Sequence, residues 1–239
     1  MSDTHSSCGL EGGVRPGLAR KRKVVSIPSA KGGAGVRTRW ARWLIAATVV
    51  PLSAGVAGVA SVPAPAGDPV RVVVETELGT FELEVDVDRA PVTAANFLRY
   101  VDGGFYDGGT FFRTVHADNQ PDDSIRIAVV QGGRNPEMEA ESFPPIPLER
   151  TSETGLLHED GTISMARGGP DTATQSFFIC IGDQPSLDFG GMRNPDGQGF
   201  AAFGRVVDGM DVVRAIHRAP YDAQQLTPPV RITRAYRKE

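Results

Sequence analysis

Few residues in this 239-residue chain have the type and spacing that covalent chemistry demands. The four histidines (His5, His116, His158 and His217) have no partners at metal-ligand spacing, and no His-Glu-x-x-His helix exists. Ser164 and Ser176 sit in no nucleophile elbow. A hydrolytic site would need a nucleophile–histidine pair, for which His158 with Ser164 is the sole candidate. Gly132-Gly133-Arg134 lacks a phosphate-loop lysine and does not open a helix. Cys8 and Cys180 make no disulfide framework or zinc spacing. The expectation is a site with no metal and no organic cofactor. What remains is Arg113 inside an aromatic strand, Gln131 at the end of another, and the apolar Val129, Ala166, Phe178, Leu187 and Phe200. An apolar pocket edged by amides and a permanent cation suits holding a side chain better than cutting a bond.

The elements that must position these residues are mostly short strands. Val70–Glu77 and Thr80–Val87 alternate apolar and polar around Gly79, as a hairpin does, with Phe81, Leu83, Val85 and Val87 on one face. Pro91 followed by Ala94, Phe97, Leu98 and Val101 is an amphipathic helix ended by Gly103-Gly104. Further strands are predicted at 110–115, 125–131, around Ile163 and Met165, at 177–181, 200–207 and 230–236, with a short helix over 208–216. The segment 134–160 reads as irregular. Around Gly161–Pro170 the chain goes strand, glycine-proline loop, strand, and the loop offers no acid, base or nucleophile. Many short strands with only two helices predict a mainly β fold, a closed antiparallel barrel capped by those helices.

Charge divides the chain. Residues 1–43 carry a balance of +7, residues 44–66 carry none, and residues 67–239 carry −11. An acidic body excludes nucleic acid as a partner, because phosphates need a basic face. Arg37, Arg39 and Arg42 precede a 19-residue uncharged run, Leu44–Val62, and Ala64-Pro65-Ala66 follows it as a small-x-small cleavage pattern. The expected organisation is a disordered basic region over 1–43, a signal peptide or signal-anchor helix over 44–66, and one domain over 67–239. Membrane contact is expected only through 44–62, with the body exported into the cell envelope.

Several motifs together carry a family likeness. Phe111-Phe112-Arg113, Val129–Gly133, Gly161–Ala166, Ser176–Ile179, Leu187-Asp188 and Phe203–Met210 resemble, in order and style, the cyclophilin-type peptidyl-prolyl cis-trans isomerases. The likeness spans roughly residues 70–237. It implies an eight-stranded antiparallel barrel with two capping helices, and rotation about X–Pro bonds as the reaction. By resemblance, Arg113 matches the catalytic arginine, and Gln131 the glutamine that hydrogen-bonds the substrate backbone. Val129, Phe178 and Leu187 match walls of the proline pocket. Ala166, Arg167, Gly168 and Thr172 match the loop along which the peptide lies, and Phe200 stands where many members have His or Tyr. The implied partners are proline-containing exposed or unfolded segments, and the implied role is assisting the folding of exported proteins. A proline-binding chaperone with little turnover is the alternative.

The chain also departs from the family. Seventeen residues lie between Arg113 and Gln131, so His116–Ser124 must loop out for the two side chains to meet. Ala128 replaces a pocket phenylalanine, Ser186 replaces an aromatic residue, and Gln175 precedes Ser176 in place of the usual glutamine before Phe-Phe. Shorter pocket walls are the expected consequence.

Overall fold

A computed structural model describes residues 69–120, 124–141 and 143–239. The basic region, the 44–66 signal or anchor segment and residues 121–123 lie outside the described residues. No described helix is long and apolar enough to cross a membrane.

Among the described residues, nine strands form one antiparallel sheet: β1 Val70–Thr76, β2 Gly79–Val85, β3 Thr110–Val115, β4 Val129–Gly133, β5 Thr162–Met165, β6 Phe177–Cys180, β7 Ala201–Asp208, β8 Tyr221–Asp222 and β9 Gln225–Arg237. Their order is β1-β2-β7-β5-β6-β4-β3-β9, and β9 returns to pair with β1. That pairing closes an eight-stranded barrel and leaves no open edge in the ring. The two-residue β8 hangs on β9 outside it.

The helices α1 Pro91–Asp102 and α3 Met210–His217 pack onto the barrel, with a one-turn α2 at Thr151–Thr154. Pro91 sets the first turn of α1, whose N–H groups at Val92 and Thr93, lacking partners within the helix, donate to the distant Glu149 carboxylate at 3.1 and 2.7 Å. Gly209 opens α3 at φ +73°, and a Cβ there would lie 2.5 Å from the Thr80 carbonyl oxygen, so only glycine fits. Alternation along the strands sends Phe81, Phe111, Val130, Ile163, Phe177 and Phe203 inward, where Phe97 and Tyr106 join them. The rings meet edge-on: Phe177 lies 5.4–5.7 Å from Phe97, Tyr106 and Phe111 at 85–90°.

Two sequence expectations change. The strand predicted over 125–131 begins only at Val129, because β3 ends at Val115 and residues before Val129 have no ladder partner there. Side chains satisfy that backbone instead. Gln120 donates to the Ile127 carbonyl at 2.8 Å and accepts its N–H at 3.3 Å, and Arg193 donates to the Ile125 carbonyl at 2.8 Å. The segment expected to be irregular holds a 3-10 turn, Pro136–Glu141, as well as α2.

Candidate active site

Arg113 reaches the outer face of the barrel through a bulge. Phe111 pairs with Gly132 and Arg113 with Gln131, so two steps on β3 match one on β4. Without that extra residue, Arg113 would share the inward face of Phe111 two positions earlier. The bulge turns it outward, alongside Val115 and opposite Val129 and Gln131. Its Nη1 donates to Gln131 Oε1 at 3.0 Å. Its Nε and Nη2 both donate to Gln224 Oε1, at 3.0 and 2.6 Å. Both acceptors are neutral amides, and these bonds fix the plane of the guanidinium.

The cleft in front of Arg113 has a volume of about 260 Å³. Ile127, Val129, Phe178 and Leu187 give it buried apolar walls, with Ala166 and Phe200 packed against them. The Phe200 ring meets Phe178 edge-on at 5.3 Å, and Arg167 lies 5.1 Å over the Phe200 ring. Behind Phe178, the His158 ring stacks at 6.0 Å. His158 Nδ1 is 2.7 Å from Asp188 Oδ1, and Nε2 is 3.0 Å from Ser164 Oγ. This is the order of a Ser-His-Asp triad, but Ser164 has no solvent exposure and His158 only 2%. A serine sealed beneath a phenylalanine cannot attack a substrate carbonyl. The three residues form a satisfied polar relay that backs the pocket wall. Among the described residues, no group of three His, Cys, Asp or Glu side chains could hold a metal ion.

Residues 71–237 match the profile of the family described as cyclophilin-type peptidyl-prolyl cis-trans isomerase/CLD. The chain belongs to this family. A peptidyl-prolyl cis-trans isomerase from Acinetobacter baylyi is 35% identical over 164 residues, covering 66% of this chain and 80% of the relative. Peptidyl-prolyl cis-trans isomerase A of Dickeya dadantii is 37% identical over 147 residues, 61% of this chain and 70% of the relative. Isomerase B of Escherichia coli is 34% identical over 142 residues, 59% and 80% respectively. The barrel also superposes on a crystal structure of a Cryptosporidium parvum cyclophilin-type isomerase with a TM-score of 0.58 at 20% identity. That match covers 72% of this chain and 98% of the other. The chain is thus a cyclophilin-type isomerase with an eight-stranded barrel.

Within this cyclophilin barrel, the cleft gathers Arg113, Val129, Gln131, Ala166, Arg167, Phe178, Leu187 and Phe200. Gly168 and Thr172 are not among its lining residues. They are exposed, and Thr172 Oγ1 accepts the Gly168 and Gly169 N–H groups at 3.2 and 3.0 Å, closing a turn of its own. The Arg167 guanidinium is committed elsewhere: it donates to both Asp196 oxygens at 2.7 and 2.9 Å and, through Nε, to the Gly199 carbonyl at 2.8 Å. Those bonds, made largely by Arg167, hold the Asp196 carboxyl down at about 2.

The cleft walls are less depleted than the sequence departures suggest. Ile127 lines the cleft where Ala128 does not, and the loop of residues 189–199 brings in Arg193 and Asn194. That loop folds back onto Ser186, whose carbonyl accepts the Arg193 N–H at 3.1 Å. Sequence reasoning missed Ile127, Arg193, Asn194 and Gln224. Only Ile127 left a trace, since it shares the Val129–Gln131 face.

Proposed function

We propose that this isomerase lowers the barrier to X–Pro rotation by aiming the Arg113 guanidinium at the prolyl nitrogen of a peptide seated against Phe178. The supporting observation is Arg113 bonded to Gln131 at 3.0 Å on the edge of the cleft that Phe178 walls. The uncatalysed barrier, about 18–20 kcal/mol, comes from amide resonance. As the bond twists, resonance is lost and the nitrogen regains a lone pair, which a charged N–H donor stabilises more than it does the planar amide. Arg suits the task because its charge persists at any physiological pH.

In this reading Gln131 acts on the flanking peptide. Its Oε1 accepts from Arg113, so its amide N–H₂ is the group offered to a substrate carbonyl. Val129, Phe178 and Leu187 hold the proline ring, and Ile127 supplies apolar wall beside them. Holding one side of the bond still confines rotation to the other. The clients are proline-containing segments exposed on unfolded chains. The basic flank, apolar run and Ala64-Pro65-Ala66 pattern support export, with proteins crossing the same membrane as clients. Sequencing the N-terminus of the protein recovered from the cell envelope tests the export reading, and recovery from the cytoplasm alone would refute it.

The decisive experiment is isomerisation of an Ala-Pro-containing tetrapeptide by the full chain and by Arg113→Ala. The expected result is a loss in kcat of roughly 10²–10³, about 2.7–4 kcal/mol, with thermal stability unchanged. Tight peptide binding by an inactive wild-type chain would instead identify a proline-binding chaperone.

A further inference from the structure

Arg113 is a long side chain with several rotamers, so a catalytic role requires something to fix it. Gln131 holds one terminal nitrogen. The other edge is held by Gln224, from the turn between β8 and β9, 111 residues away in sequence. Gln224 Oε1 takes both Nε–H and Nη2–H, the forked contact that a carboxylate usually makes with arginine. Here the acceptor is neutral.

The orientation of that amide is itself determined. Gln224 Nε2 donates to the Asn119 carbonyl at 3.0 Å, and a flipped amide would face the guanidinium with N–H against N–H. Asn119 lies in the loop that departs from the family between β3 and β4. Its side chain accepts the His116 N–H at 2.8 Å and donates to the Thr114 carbonyl at 3.2 Å, closing that loop against the strand carrying Arg113. The Gln224 carbonyl accepts the Thr114 N–H at 2.9 Å, so its backbone is tied to the residue next to Arg113.

We propose that Gln224 is a positioning residue for isomerisation: a neutral fork, oriented by the Asn119 carbonyl, that aims Arg113. This rests on the catalytic reading of Arg113 given above. An acidic residue at the same place would hold the guanidinium as firmly but would put a negative charge beside the lone pair's donor, weakening it. Asn119 thereby acquires a function, which is to orient the amide.

Two variants of the full chain separate aim from charge, assayed on an Ala-Pro tetrapeptide by NMR exchange. Gln224→Met keeps the side-chain length and removes the fork. It is expected to lower kcat roughly tenfold or more, with KM and melting temperature unchanged. Gln224→Glu keeps the fork and adds charge but loses the donor to the Asn119 carbonyl, and is expected to lower kcat with some fall in the melting temperature. Wild-type kcat in either variant overturns the proposal, as does a kcat loss in Gln224→Met matched by a loss of stability. The Arg113 Nε–H resonance gives a readout independent of turnover. It should exchange slowly in the wild type and rapidly in Gln224→Met. Fast exchange in the wild type overturns the positioning claim, whereas slow exchange in a wild type without turnover counts against the isomerase reading instead.

Discussion

Phe177 and Phe178 are neighbours on β6, yet one ring lies in the barrel interior and the other walls the cleft. Val130 and Val129 divide in the same way on β4. The interior cluster is broad, aromatic and sealed, with Phe97, Phe111 and Phe203 fully buried. The outer cluster is a thin apolar layer edged by Arg113 and Gln131 and backed by the His158–Ser164–Asp188 relay. Alternation along one strand therefore assigns stability to one face and chemistry to the other. At Arg113 that alternation is broken, and a bulge breaks it.

The sharpest way to break this contrast is a pair of truncations. Phe177→Ala opens a cavity among rings that cannot close over it and should cost about 3–5 kcal/mol in denaturant unfolding. Phe178→Ala removes a ring that already faces the cleft on one side, and should cost less, under about 3 kcal/mol. In turnover the order should invert: kcat/KM per folded molecule falls for Phe178→Ala and holds for Phe177→Ala. Equal losses of stability, or equal losses of turnover, would mean that the two faces are not functionally distinct.

How much of this could be read from residues alone follows from the range of the interactions. The barrel was legible because its period-2 pattern is local, and Gly103-Gly104 and Gly209 mark helix ends within a few positions. Arg113 and Gln131 were legible by family likeness, although alternation alone would have turned Arg113 inward. The bulge leaves no mark in Phe111-Phe112-Arg113, since a repeated phenylalanine fits either face. Glu149 on the α1 terminus, Gln224 on Arg113 and Arg193 at the cleft join segments far apart in sequence, and each looks like an ordinary surface residue. Thr172 lies outside the cleft lining for the opposite reason. Its hydroxyl is taken up by its own turn, a local use that a motif match does not show. The signal or anchor segment remains an expectation, since it lies outside the described residues.

A gentler test lies at the seam between the two faces, where α3 ends against β3. His217 Nε2 lies 3.0 Å from the Val115 carbonyl, and its ring sits 3.8 Å from that of His116. Burial pushes its pKa below the usual histidine value, the Val115 carbonyl opposes this, and the charges of His116 and Arg218 add to the lowering. The unfolded chain then binds a proton more readily than the folded one as pH falls below about 6.5. Stability is thus complete above that pH and declines as pH falls through it toward the folded value. The melting temperature should drop between pH 7 and 5, and His217→Gln, which keeps a donor for Val115, should flatten that slope. An unchanged slope would place the titrating group elsewhere.

The smallest effect is expected at Asp196, which touches neither cluster and yet fixes Arg167 beside Phe200. Its carboxyl is held at about 2, chiefly by hydrogen bonds from Arg167 and then by the Gln198 N–H. A carboxylate depressed in the folded state stabilises above its unfolded value, near 3.9, and loses that contribution as pH falls toward about 2. The group is exposed, so solvent screens the pair and the melting temperature of Asp196→Asn at neutral pH should barely move. The cleft should register the change instead. Arg167 would keep its bonds to Gly199 but lose a charged partner, freeing the loop of residues 189–199 that carries Arg193 and Asn194 to the rim. The expected outcome is a rise in KM of no more than about threefold, the scale of an exposed ion pair, with kcat unchanged. A fall in kcat would mean that this loop acts on Arg113 itself, and the cleft would then be one mechanical unit rather than a fixed wall with an adjustable rim.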